Sequence, residues 1–166
     1  MSTLSPHIRR AAPAETSIVS SILTEAAQWL AERGDPLWQD GELSPAAVKA
    51  DVENGLFHLA WIADQAAGVF KMQDEDPIFW PDVPQREAIY LHRIAVRRQY
   101  AGGEIMDAMI AFTRQATIAA GRPFLRLDCI ASRHKLCAVY EKRGFIKHSE
   151  RQVGPYYVAR YQQEIG

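Results

Sequence analysis

The chain has 166 residues, the length of one domain with a sizeable core. Apolar residues make up 48% and charged residues 23%, the balance of an ordinary globular protein, and no stretch is apolar and long enough to cross a membrane. A net charge of −1 argues against a broad nucleic-acid-binding surface, and the two cysteines, Cys129 and Cys137, suggest neither a disulfide framework nor a metal site. No signal-peptide apolar region is evident, so reduced thiols in a cytoplasm are the expectation.

Taken in order, residues 7–11 read as a strand. Pro13 opens a helix whose apolar face is Ile18, Ile22, Leu23, Ala26, Trp29 and Leu30, and Gly34 ends it. Residues 35–40 form a loop with Asp35, Trp38 and Asp40. Ser44 is a predicted N-cap, with Pro45 starting a helix that ends near Gly55. Residues 56–63 and 66–73 form a hairpin about Asp64 and Gln65. A polar loop, 74–85, carries Asp74, Glu75, Asp76, Phe79 and Trp80.

Residues 90–96, Tyr-Leu-His-Arg-Ile-Ala-Val, are short, apolar and β-prone. They run through Arg97, Arg98, Gln99, Tyr100 and Ala101 to Gly102 and Gly103. A helical stripe follows at Ile105, Met109, Phe112, Ala116 and Ala119. Paired glycines before a helix start make an anion-binding geometry, because backbone N–H groups and the positive end of the helix dipole meet there. The same glycines also serve a plain tight turn. Neither GxxxxGK[ST] nor GxGxxG is present, so the pattern does not name the anion. Strand 124–130, helix 133–142 and a hairpin of 145–152 with 156–162 about Gly154-Pro155 complete the chain. The order β-α-α-β-β-β-α-β-α-β-β predicts an α/β (or α+β) single domain over residues 1–166. Its sheet is mixed and mostly antiparallel, with helices on both faces.

This central region resembles the GNAT acetyltransferases. Gln99-Tyr100-Ala101-Gly102-Gly103-Glu104 is similar to the family's [Q/R]-x-x-G-x-[G/A] signature. Leu125 to Cys129 is similar to its next strand, and Leu136, Tyr140, Glu141, Gly144 and Phe145 to its L-x-x-x-Y-E-x-x-G-F ending. Glu104 departs from the signature's Gly or Ala, Met106 stands where Gly is common, and Arg133 where Asn is common. A carboxylate about 6 Å from a pyrophosphate charge, at effective dielectric about 20, costs roughly 3 kcal/mol. Arg97, Arg98 or Arg133 is expected to offset it.

The resemblance implies acetyl-CoA as co-substrate. It implies cofactor contacts from Ile94, Ala95, Val96, Arg97, Arg98, Ala101, Gly102, Gly103, Glu104, Ile105, Arg133 and Leu136. It also makes Tyr140 the group near the departing sulfur, as proton donor or hydrogen-bond donor. A protonated alkylamine titrates near 10.4, so the acceptor must lose a proton. An imidazole titrates near 6.5, which suits His92 as base, and Glu87 is the alternative if burial raises its pKa. His92 is read on one strand face with Tyr90 and Ile94. Asp35, Trp38 and Trp80 combine acid and aromatic character, which suits a cationic amine; anchoring in solvated loops is the plainer reading.

The reading is an N-acetyltransferase acting on a small-molecule amine by direct transfer in a ternary complex. A degenerate acyl-CoA-binding module, motivated by Glu104, and an aminoacyl-tRNA-acetylating toxin are the alternatives. The near-neutral charge weighs against the second. No metal, nucleic-acid or membrane partner is expected, and the C-terminal hairpin leaves a homodimer open.

Overall fold

The computed structural model describes residues 5–39 and 41–165. The strands are β1 (His7–Arg10), β2 (Phe57–Ile62), β3 (Gln65–Gln73), β4 (Ala88–Val96), β5 (Phe124–Ile130), β6 (Ile146–Val153) and β7 (Tyr156–Glu164). The helices are α1 (Thr16–Glu32), α2 (Pro45–Glu53), α3 (Glu104–Ala119) and α4 (His134–Lys142). Short 3₁₀ turns at Pro13–Glu15 and Arg98–Tyr100 precede α1 and α3.

Local chemistry sets the boundaries. Pro13 opens the 3₁₀ turn that leads into α1. Ser44 caps α2, its Oγ accepting the Ala47 N–H at 3.2 Å, with Pro45 at the first helical position. Ala63, at φ 52°, turns β2 into β3. Gly121 (φ 68°) follows α3 and Gly144 (φ 91°) follows α4, each a left-handed stop that glycine adopts without cost.

The strands form one mixed sheet in the order β1-β2-β3-β4-β5-β7-β6. β1/β2, β2/β3, β5/β7 and β6/β7 are antiparallel. β4 and β5 are parallel, with Ala88, Ile89 and Tyr90 facing Phe124, Leu125 and Arg126. A parallel pair needs a crossover, and α3 supplies it. The last strand lies between β5 and β6, so β6 is one edge of the sheet and β1 the other. β6 carries Lys147, Glu150 and Arg151, charges that discourage edge-to-edge pairing.

By internal contacts the chain forms two compact units: Met1–Lys71 with Arg93–Ile110, and Met72–His92 with Ala111–Gly166. In the first, Val19, Ile22 and Leu23 of α1 pack with Val48 and Val52 of α2 and with Phe57, Leu59 and Val69. Gly68 sits under α3. A Cβ there would lie 2.8 Å from Ile105 Cγ2 and 3.1 Å from Met109 Sδ, so glycine is what lets the helix start approach β3. In the second unit Trp80, Ala88 and Tyr90 form a buried cluster with Phe79, Val83 and Phe124.

Candidate functional site

The first unit holds the glycine turn. Gly102 and Gly103 have φ of 137° and 100°, conformations that side chains resist. The α3 ladder begins with the Asp107 N–H donating to Gly103 O at 2.8 Å. The amides just before it therefore precede the helical bonds, where an anion is best received. Ile105 is buried and anchors the helix start, while Glu104 is exposed. At a water-like dielectric of about 80 the repulsion expected of Glu104 falls to about 0.7 kcal/mol.

Arg97 and Arg98, the expected counter-charges, both have partners in α1. The Arg97 guanidinium donates to Ala66 O (3.0 Å), Glu25 Oε1 (3.2 Å) and Ser21 Oγ (3.2 Å). Arg98 lies over the Trp29 ring at 3.9 Å, and its backbone N–H donates to Glu25 Oε2 at 2.8 Å. Both side chains are committed to α1. The Arg97 N–H is also used, by Ala67 O at 2.8 Å. What the turn offers an anion is thus the backbone from Gly102 onward. In β4, Ala95 is buried and Ile94 and Val96 are half-buried, and Arg93 at φ 53° breaks the alternation read through His92 and Ile94.

The second unit brings His92 between two carboxylates. Its Nε2 lies 2.9 Å from Asp76 Oδ2, and its Nδ1 lies 4.0 Å from Asp128 Oδ2. The acids address opposite ring nitrogens. Asp76 is fixed by its own loop. Its Oδ1 accepts the N–H groups of Ile78 (3.2 Å) and Phe79 (3.0 Å), which turns Oδ2 toward the imidazole. Phe79 packs 6.1 Å from the His92 ring.

The two carboxyls are driven apart. Burial opposes ionisation of Asp76, but His92 and the two amides outweigh it and hold the group below its ordinary value. Burial pushes Asp128 up to about 6, against the pull of His92 and with the push of Asp76. Such divergence marks acid–base pairs in many active sites.

A family model described as Acetyltransferase (GNAT) family matches residues 20–145. The chain belongs to the GNAT acetyltransferase family. An uncharacterised N-acetyltransferase, YesJ of Bacillus subtilis, is 26% identical over 134 residues, covering 76% of this chain and 74% of YesJ. A GNAT-family acetyltransferase from Listeria monocytogenes is 27% identical, with a TM-score of 0.79 over 96% of this chain and 95% of that one. The fold is shared at 13% identity with yncA of Salmonella typhimurium, solved with its cofactor acetyl-CoA (TM-score 0.72, covering 97% and 94%). The chain is thus an acyltransferase of acyl-CoA-using type, and among its described residues no helix is long and apolar enough to cross a membrane.

Within this GNAT chain the remaining expected residues divide clearly. Tyr140, on α4, is buried and meets Phe145 edge-on at 6.0 Å. Burial, then the neighbouring Cys129 and Asp128, push its hydroxyl well above the ordinary range. A phenol so held stays protonated: a good hydrogen-bond donor and a poor proton donor. Arg133 is the N-cap of α4, its carbonyl accepting the Cys137 N–H at 3.0 Å, and Leu136 is half-buried.

Glu87 lies just before β4 and keeps a quarter of its side chain exposed. It accepts from Arg126 Nη2 at 2.6 Å, in a structural ion pair. Trp80 is also corrected. It is fully buried, with Arg126 and Arg160 over its ring at 4.9 and 4.7 Å, and is a core residue rather than the wall of an acceptor site. Trp38 packs on the first unit's core, with Arg93 over its ring at 5.4 Å. Asp35 is exposed, and Asp40 lies outside the described residues. Asp74 and Glu75 face Arg122 (3.7 Å) and Arg86 (3.3 Å), which leaves Asp76 as the loop's carboxylate beside His92.

Gly102→Val is expected to weaken acetyl-CoA binding at least tenfold. The left-handed backbone strains any side chain by about 1–3 kcal/mol, and relief of that strain would move the turn's amides. Calorimetric titration reads it; unchanged affinity contradicts an anion cradle at this turn.

Proposed function

We propose that the chain transfers the acetyl group of acetyl-CoA to the primary amine of a small molecule, directly and with both substrates bound. The observation that carries this reading is the imidazole of His92 set between an ionised Asp76 and a carboxyl of raised pKa. Amine acetylation needs a proton acceptor, and the setting of His92 between Asp76 and Asp128 supports it in that role. The amine nitrogen bonds to the thioester carbonyl carbon, the nitrogen's proton passes to His92, and the carbon–sulfur bond breaks. Tyr140 donates a hydrogen bond to the departing thiolate, which leaves as coenzyme A once protonated. Backbone amides from Gly102 onward receive the pyrophosphate, and the exposure of Glu104 supports that role. With Glu104 turned to solvent, no observation favours the degenerate-module reading.

The test is release of free thiol from acetyl-CoA with a panel of small primary amines. Release that depends on one class of amine is expected. Release that no amine stimulates overturns the reading.

A further inference from the structure

Asp76 and Asp128 each bury a carboxylate oxygen that makes no hydrogen bond, and of the two only Asp76 is anchored by the amides of its own loop. The Asp128 side chain is 9% exposed, and its Oδ2 makes no hydrogen bond. A buried, unsatisfied carboxylate oxygen costs stability and calls for a reason. The natural counter-ion is Arg160, directly opposite in the β5/β7 register. Yet Arg160 is spent elsewhere. It donates to both oxygens of Asp82 (2.7 and 3.0 Å), to Phe79 O (3.1 Å) and, through Nε, to Ser149 Oγ (2.8 Å). Its charge is held by Asp82, and Asp128 is left facing Nδ1 of His92.

We propose that Asp128 is a proton-holding partner of His92 in acetyl transfer: His92 Nδ1 takes the amine proton, and Asp128 stabilises or receives it there, while Asp76 fixes the ring from the Nε2 side. This rests on the reading of His92 as the base. Catalytic hydrogen bonds are often long before substrate binds, so the 4.0 Å gap between Nδ1 and Asp128 is compatible with the pairing. No atom is gained or lost by the pair: one proton arrives from the amine nitrogen and later leaves to solvent. The groups acting on Asp128 are His92 from β4, Asp76 and the Trp80 indole from the loop after β3, and Arg160 from β7. The raised pKa of Asp128 agrees with a group that changes protonation in the working range. Asp128 also acts on Tyr140 and Cys129, so its protonation would ease the demand on the Tyr140 hydroxyl.

Two measurements on wild type and Asp128→Asn test it. The first is NMR titration of the His92 ring, which needs no acceptor amine. Removing the Asp128 charge should lower the His92 midpoint; an unchanged midpoint overturns the pairing. The second is the pH profile of kcat/KM. On its acid limb the wild type should approach a slope of two, because both groups must lose a proton, and Asp128→Asn a slope of one. Its kcat should fall at least tenfold, with the acetyl-CoA KM within about threefold. Equal slopes and kcat within twofold overturn the proposal, as does a loss of activity matched by a loss of fold in the melting curve. A shifted midpoint in a wild type that acetylates no amine would instead strike at the catalytic reading alone.

Discussion

Replacing His92 by Gln should lower kcat for amine acetylation by roughly 10² to 10⁴, the range a positioned general base contributes. Glutamine preserves polarity and much of the volume. Asp76 keeps the Ile78 and Phe79 amides that fix it, so the loop should stand. The turn of Gly102 and Gly103 belongs to the other unit and is not altered, so the KM for acetyl-CoA should hold within about threefold. Glu87→Gln is the contrast. It removes the charge facing Arg126 Nη2, and Arg126 is only 2% exposed. Stability should fall by about 1–3 kcal/mol, because a buried guanidinium loses its charged partner. The kcat of that variant should stay within about threefold. Steady-state thiol release and thermal melts separate the two. A fall of less than about fivefold in His92→Gln would place the base elsewhere.

Asp128→Asn should be more stable than the wild type at pH 7, although it is less active. The folded chain holds this carboxyl at about 6, whereas a free aspartate titrates near 3.9. Between those values the folded state carries a proton that the unfolded state lacks. The favourable contribution is therefore full below about pH 4 and is lost as pH rises through 6. Two units at 1.36 kcal/mol each make the penalty at neutral pH about 3 kcal/mol, an upper figure for what asparagine relieves.

His58 works in the opposite sense. Burial, then the charge of Arg10, lower it to about 4. Its contribution is full above about 6.5 and is lost as pH falls through 4. In the wild type the two slopes oppose each other across pH 4–6. In Asp128→Asn the His58 slope stands alone, so stability should drop more steeply on acidification. Denaturant unfolding at pH 4, 5.5 and 7 reads this. A variant less stable than wild type at pH 7 would make Asp128 a structural anchor.

Much of the fold was legible because its signals are local. Ser44-Pro45 caps α2, Gly121 and Gly144 follow α3 and α4, and the apolar runs before and after α3 became β4 and β5. The place of β7 between β5 and β6 was not legible, since strand order is set by nonlocal pairing. Trp80 was misread for a related reason. In sequence it is an aromatic beside acids in a polar loop, and only the buried guanidinium groups of Arg126 and Arg160 show it to be core. Arg97 and Arg98 followed the same course: a charge near a phosphate loop says nothing of Glu25 and Trp29, which hold them. His92 was visible through its imidazole. Its partners were not, because Asp76 was one acid among several and Asp128 one letter of a strand. The one available signal was an aspartate alternating with leucines in an apolar run, a position where a charge is rarely buried without a partner.

The most direct test of the account is to incubate the chain with acetyl-CoA, with and without the best amine of the panel, and weigh both amine and protein. With amine present, one acetyl group should appear on the amine, one free thiol should form for each, and the protein's mass should be unchanged. An acetylated protein formed without amine would replace direct transfer with a covalent route. Thiol release that leaves the amine unmodified would contradict amine acetylation itself.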